Sequence, residues 1–198
     1  MAELVKPKPK PLLLIGGVVA SLFLIGLIAL MIESRAEILR EGREVVLKTQ
    51  PIDPRDLLRG RYVRLNYEIQ NIEGAVLERF AERFGEDEQQ FLRDETIYVT
   101  LEPGENGFHE VVDIFREPPE DALFIRGTTN INPSRIVRIR PDYGINRFYT
   151  NETLAPELEA RMREGEITTV ILAVDDRGTA QIKAFQQDGV NIITEQLY

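Results

Sequence analysis

The chain has 198 residues, no cysteine, one histidine and a formal net charge of −9. Without cysteine there can be no disulfide, thiol nucleophile or thiolate metal site. An acidic chain lacks the clustered Lys and Arg that displace counterions from phosphates, so nucleic acid is not expected as a partner.

Residues 1–11 form a basic tail in which Lys6, Lys8 and Lys10 alternate with Pro7, Pro9 and Pro11, a pattern that keeps the backbone extended. Residues 12–32 follow without a single charge. As a helix they span about 31 Å, the thickness of a bilayer's hydrocarbon core, so a transmembrane helix is expected. A cleaved signal peptide is the rival reading, but its apolar stretch should be about 7 to 15 residues long and end at a small-x-small site. The nearest such site, Ser34-Arg35-Ala36, contains a charge, which favours a retained anchor. The lysine tail stays on the cytoplasmic side, which puts the rest of the chain across the membrane. Gly16, Gly17, Ala20 and Ser21 make two overlapping small-xxx-small pairs, a face on which another membrane helix can pack. Residues 33–43 continue as a juxtamembrane helix or linker that stops at Gly42.

About 166 residues lie beyond the anchor, enough for one domain with a proper core. That domain is expected over residues 44–198. Residues 44–49 (EVVLKT) and 62–69 (YVRLNYEI) read as strands, being rich in β-branched and aromatic residues. In the second, Val63, Leu65, Tyr67 and Ile69 share one face, and Tyr62, Arg64, Asn66 and Glu68 share the other. Between the two strands PIDPRDLLRG carries turn-forming Pro and Asp. Val76, Leu77, Phe80, Ala81 and Phe84 recur at helical spacing, and the acidic GEDEQQ after them reads as a solvated turn. Further strands are expected at 96–101, 108–115, 123–126, 135–140 and 145–149. A short helix over 154–162 is bracketed by Pro156 and Gly165. Strands at 168–174, 179–185 and 190–194 close the chain as a meander with turns at Asp176-Arg177-Gly178 and Asp188-Gly189. The fold class is therefore mainly β: a transmembrane helix, then an antiparallel sandwich or distorted barrel with one or two short helices.

The run GRYVRLNY (60–67), arriving after PIDPRDLLR, resembles the bacterial membrane-anchored family named for its GDYXXLXY motif. Downstream, YGINRFYTNE (143–152) resembles the family's second block, and the closing RGTAQIKAFQQDGVNI also fits. The positions that carry the resemblance are Gly60, Tyr62, Leu65, Tyr67, Tyr143, Gly144, Arg147 and Glu152. Two positions depart from the pattern, Arg61 in place of the motif's aspartate and Asn146 inside the second block, so a role needing a carboxylate at position 61 is not supported. The resemblance implies an envelope protein of unknown function beside multi-pass membrane proteins. A single-pass protein of the bacterial cytoplasmic (inner) membrane is then expected, with its C-terminal domain in the periplasm.

Candidate binding residues come from two places. Tyr62 and Arg64 lie on the strand face opposite the apolar one. The stretch 126–147 holds Arg126, Arg135, Arg138, Arg140 and Arg147 against Asp142 alone, a net +4 inside an acidic domain. Arginine suits carboxylate or phosphate, so the stretch fits an anionic partner. It also fits pairing with the domain's own carboxylates.

The inventory limits catalysis. A Ser-His-acid triad must use His109 with Ser134, whose NPSR setting is no nucleophile elbow. A Ser-Lys pair must bring Ser34 or Ser134 to Lys48 or Lys183. Asp113, Glu152 and Glu157 are available for acid-base work on a glycan. One histidine without cysteine makes zinc improbable, carboxylate spacing matches no calcium loop, and no cofactor is expected. The leading expectation is a non-enzymatic binding or accessory module for a multi-pass membrane protein or other envelope component. The alternative is a membrane-anchored envelope hydrolase directed at glycan or peptide.

Overall fold

The computed structural model describes residues 11–50, 62–84, 90–149, 156–157, 160–161, 164–165, 169–187 and 190–194. The chain divides into two units, one ending at Glu37 and the other beginning at Ile38, and each is described by itself.

Helix α1 (Pro11–Glu41) starts on a proline, whose missing N–H costs nothing in a first turn. Its apolar residues are exposed all round, Phe23 at 68 % and Leu30 at 72 %. A helix apolar on every face needs an apolar solvent, and this one is long and apolar enough to cross a membrane. The Ser21 hydroxyl donates to the Gly17 carbonyl at 2.9 Å, so it is satisfied inside its own helix.

The second unit begins with the end of that helix. Ile38 is buried, and the Gly42 N–H closes the last turn on the Ile38 carbonyl at 2.9 Å. A Cβ on Gly42 would lie 2.4 Å from that carbonyl and 2.9 Å from the Val174 nitrogen, so only glycine lets the chain pass between them. Strand β1 (Arg43–Gln50) follows at once. The segment expected as helix or linker is thus helix through Glu41 with a one-residue joint.

The remaining elements are β2 (Tyr62–Arg64), β3 (Asn66–Tyr67), α2 (Ala75–Ala81), β4 (Leu92–Pro103), β5 (His109–Phe115), β6 (Phe124–Ile131), β7 (Arg147–Tyr149), β8 (Thr169–Val174), β9 (Ala180–Gln187) and β10 (Val190–Thr194). They pair antiparallel in three sheets: five strands in the order β10-β9-β8-β1-β3, three in the order β5-β4-β6, and the ribbon β2-β7. The closing meander is as the sequence suggests. In the β8–β9 turn the Asp175 carboxylate accepts from Arg177 N–H at 3.0 Å and Thr179 N–H at 2.7 Å, and Gly178 takes φ +77°. All six residues of β8 are buried, the pattern of a strand covered on both faces.

One apolar core draws Val45 and Leu47 from β1, Leu172 from β8 and Phe185 from β9 against Ile97 and Val99 from β4, Ile125 from β6, and Leu77 and Phe80 from α2. The two larger sheets and the helix therefore close over a shared interior, as in a sandwich. Helix α2 also protects an edge. Strand β5 borders the three-stranded sheet, and its outward carbonyls at Val112 and Ile114 accept from Arg79, at 2.7 Å, and Arg83.

Several expectations change: the strand expected at 62–69 is two short strands followed by a 3-10 turn (Glu68–Gln70), and the one expected at 123–126 runs on to Ile131 as β6. Strand β4 is longer than its apolar stretch, because a bulge with Asp94 at φ +51° lets pairing with β6 continue down to Leu92. The strand expected at 135–140 is a 3-10 turn (Pro133–Arg135) followed by a segment with one bridge, Ile139 to Ile72. Pro133 and Pro141 bracket it, and Val137 is 64 % exposed, so alternation there marks no sheet face. The helix expected at 154–162 is seen at Pro156, Glu157, Ala160 and Arg161, with Gly165 beyond it at φ +77°. The segment 51–61, residues 85–89 of the acidic stretch and the turn at 188–189 lie outside the described residues.

Candidate functional site

The two signature blocks meet in space. Leu65 and Tyr67 are buried, as alternation along the motif strand requires, but the strand expected to run to Ile69 ends at Tyr67, and Glu68–Gln70 form a 3-10 turn that exposes Glu68 and buries Ile69. The strand breaks at Leu65, whose N–H donates to the Asn146 carbonyl at 2.9 Å. On one side of the break β2 pairs with β7, setting Tyr62 against Tyr149, Val63 against Phe148 and Arg64 against Arg147. On the other β3 joins β1.

Two phenols complete the junction. The Tyr67 hydroxyl donates to the Ile145 carbonyl, and the Tyr143 hydroxyl donates to the Ile69 carbonyl, both at 2.9 Å. The first block with the turn just after it, and the second block, thus each supply one buried donor and one buried acceptor to the other. Burial raises both phenol pKa values, so the groups act as donors and not as acids. Gly144 follows at φ +75° with its N–H on the Asp142 carboxylate at 2.9 Å. Gly127 leaves room for the Tyr143 ring, since a Cβ there would sit 2.8 Å from it. Asn146 contributes its backbone carbonyl to this junction. Gly60, Arg61 and Glu152 lie outside the described residues, as do the side chains of Tyr62 and Arg64.

The arginines divide. Arg138 pairs with Glu73 at 3.1 Å. Arg126, Arg135 and Arg140 are exposed and meet no carboxylate among the described residues. Arg140 stands beside β6, its carbonyl accepting from the Thr129 hydroxyl at 3.4 Å, and Arg126 lies on the exposed side of the same strand.

The catalytic candidates are scattered. Asp113 pairs with Arg83, Glu157 is 3.9 Å from Arg161, Lys48 is 3.2 Å from Glu68, and Lys183 is 2.7 Å from Glu44. The Ser134 side chain lies outside the described residues. His109 accepts the Val46 N–H on Nδ1 at 3.1 Å. It lines an open pocket of about 270 Å³ with Lys48, Glu68, Phe108 and Glu110 over a floor of Leu47 and Ile69. Among the described residues no three His, Asp or Glu side chains gather as metal ligands. Sequence reasoning missed this pocket, although Glu68, expected on the outer face of the motif strand and found on the 3-10 turn after it, and Glu110 beside the lone histidine were visible.

A family model described as GDYXXLXY protein matches residues 24–185, which takes in both signature blocks. The chain belongs to that family. No curated protein and no solved structure matches it. In this GDYXXLXY protein the final tyrosine and the leucine of the name motif are Tyr67 and Leu65, both in the core.

The two tyrosine bonds predict a specific energetic signature. Tyr67→Phe and Tyr143→Phe each strand a buried carbonyl and should each cost about 1 to 3 kcal/mol. Because the two bonds clamp the same junction, the double variant should depart from additivity by at least ~0.5 kcal/mol. Denaturant melts of the four proteins measure this, and two neutral single substitutions would show that the hydroxyls hold nothing.

Proposed function

We propose that this GDYXXLXY protein is a single-pass, membrane-anchored accessory domain that binds an anionic surface of a multi-pass membrane protein or another envelope component, and that it is not an enzyme. The observation that carries the reading is the contrast between its two kinds of notable residue. Of the signature side chains, Leu65, Tyr67 and Tyr143 are consumed in building the fold and Arg147 is exposed, whereas Arg126, Arg135 and Arg140 are exposed and meet no carboxylate among the described residues, in a domain that is otherwise acidic. Exposed arginines offer planar, bidentate recognition of carboxylate or phosphate. Catalysis is disfavoured because both lysines beyond the anchor and two of the three candidate carboxylates sit in ion pairs.

In this proposal the apolar helix spans the bacterial cytoplasmic membrane, the lysine tail stays inside and the β domain is periplasmic. The small-residue face at Gly16, Gly17, Ala20 and Ser21 gives the partner's helices a place to approach.

Asp176 is exposed in the β8–β9 turn of a cysteine-free chain, so Asp176→Cys provides a single topological reporter. It should react with an impermeant thiol reagent on intact spheroplasts, and labelling only after lysis would place the domain in the cytoplasm. The surface is tested by Arg135→Glu with Arg140→Glu. The double variant should melt within a few degrees of the parent, since exposed substitutions shift stability by ~0.5 kcal/mol or less. It should lose at least tenfold of the membrane protein that co-purifies with the parent from gently solubilised membranes. Undiminished co-purification would remove these arginines from the interface.

A further inference from the structure

Strand β1 has an unequal second edge. Along one side it pairs with β8 from Arg43 to Lys48, but on the other β3 reaches only Thr49 and Gln50. An open edge presents N–H groups that need acceptors. At Val46 the acceptor is not a strand: the N–H is taken at 3.1 Å by Nδ1 of His109, the first residue of β5. Because β1 belongs to the five-stranded sheet and β5 to the three-stranded one, this side chain ties the two sheets together where the β4–β5 hairpin arrives. It also forms part of the wall of the pocket floored by Leu47 and Ile69.

An imidazole nitrogen can accept that N–H only while it carries no proton. We propose that His109 is a pH-operated latch between the two sheets: the neutral ring holds β5 to the edge of β1, and protonation releases it into the adjoining pocket. The protonated ring would set an N–H at Nδ1 against the Val46 N–H, so the ring must turn. Carboxylates that can receive it line the same pocket, Glu110 on β5 and Glu68 on the 3-10 turn after β3.

The other charged groups on the surrounding elements are Arg43, Glu44 and Lys48 on β1, Arg93, Asp94, Glu95 and Glu102 on β4, Glu105 in the β4–β5 turn and Asp113 on β5. Lys48 is engaged with Glu68 and Glu44 with Lys183, while Glu102 stands opposite Glu110 in register. These carboxylates would favour an imidazolium. Burial of the ring works in the other direction and lowers the His109 pKa from its ordinary 6.5. The closed latch therefore binds fewer protons than the unfolded chain between the folded pKa and 6.5. Its contribution to stability is complete above 6.5 and is lost as pH falls from there through the folded value.

The chain's single histidine makes the test direct. Full-length protein in detergent micelles, labelled with 15N at histidine and in the backbone, is titrated from pH 8 to pH 4.5 by NMR. The latch requires the Nε2–H tautomer at pH 8, a midpoint below 6.5, and a Val46 amide whose resonance moves with that same midpoint. His109→Asn keeps an acceptor near the Nδ1 position without titrating, so the Val46 amide should no longer move over this range. An Nδ1–H tautomer at pH 8, a titration that leaves Val46 unmoved, or a Val46 response that survives in His109→Asn would each overturn the proposal.

Discussion

Two buried phenols that must each find an acceptor set the geometry of this domain. Tyr67 and Ile145 are 78 residues apart in sequence, as Tyr143 and Ile69 are 74 apart, and the two hydroxyl-to-carbonyl bonds cross between the same pair of segments. Leaving either hydroxyl or its carbonyl unpaired in the interior would cost about 1 to 3 kcal/mol. The pairing therefore specifies which segments meet, and not only that they are apolar. What hangs on it is the joining of the sheets. One partner, β3, belongs to the five-stranded sheet through β1, while the segment leading to Tyr143 lies against β6 of the three-stranded sheet through the bridge between Thr128 and Asp142. The Leu65 N–H on Asn146 and the mutual bonds of Ile72 and Ile139 extend the same seam.

This seam explains why some of the architecture can be read in the sequence and some cannot. The inward face of Leu65 and Tyr67 follows from strand alternation, and the closing meander from its Asp and Gly turns, because both signals are local, whereas Ile69 is buried from a 3-10 turn that alternation does not foretell. The acceptors of Tyr67 and Tyr143 are backbone carbonyls, which every residue has, so no side-chain pattern reveals them. The same applies to His109, whose partner is an amide on β1. The segment 135–140 misleads because its apolar residues serve different surroundings: Ile139 is held by a bridge to Ile72 and buried, while Val137 faces outward. Lone bridges follow no period. The extension of β4 depended on Asp94 adopting a left-handed conformation, with its N–H held by the Asn130 side chain at 3.1 Å.

The seam also changes what the family signature stands for. Glycine, tyrosine and leucine at fixed spacing can mark a binding loop, yet in this chain Leu65, Tyr67 and Tyr143 are buried in the core, and the two tyrosines satisfy backbone carbonyls. The apolar helix adds a constraint of its own, since it ends in a single glycine between Ile38 and Val174 and passes directly into β1.

Native-state hydrogen exchange of the full-length protein in micelles tests most directly whether the two blocks form one structural unit. The amides of Leu65, Ile72 and Ile139 should exchange only through global unfolding, with the same free energy and denaturant dependence as the amides of β8 at the centre of the five-stranded sheet. If these three amides instead open locally, several kcal/mol more easily while β8 stays protected, the signature blocks form a separable element and the account of them as the seam of the fold is wrong.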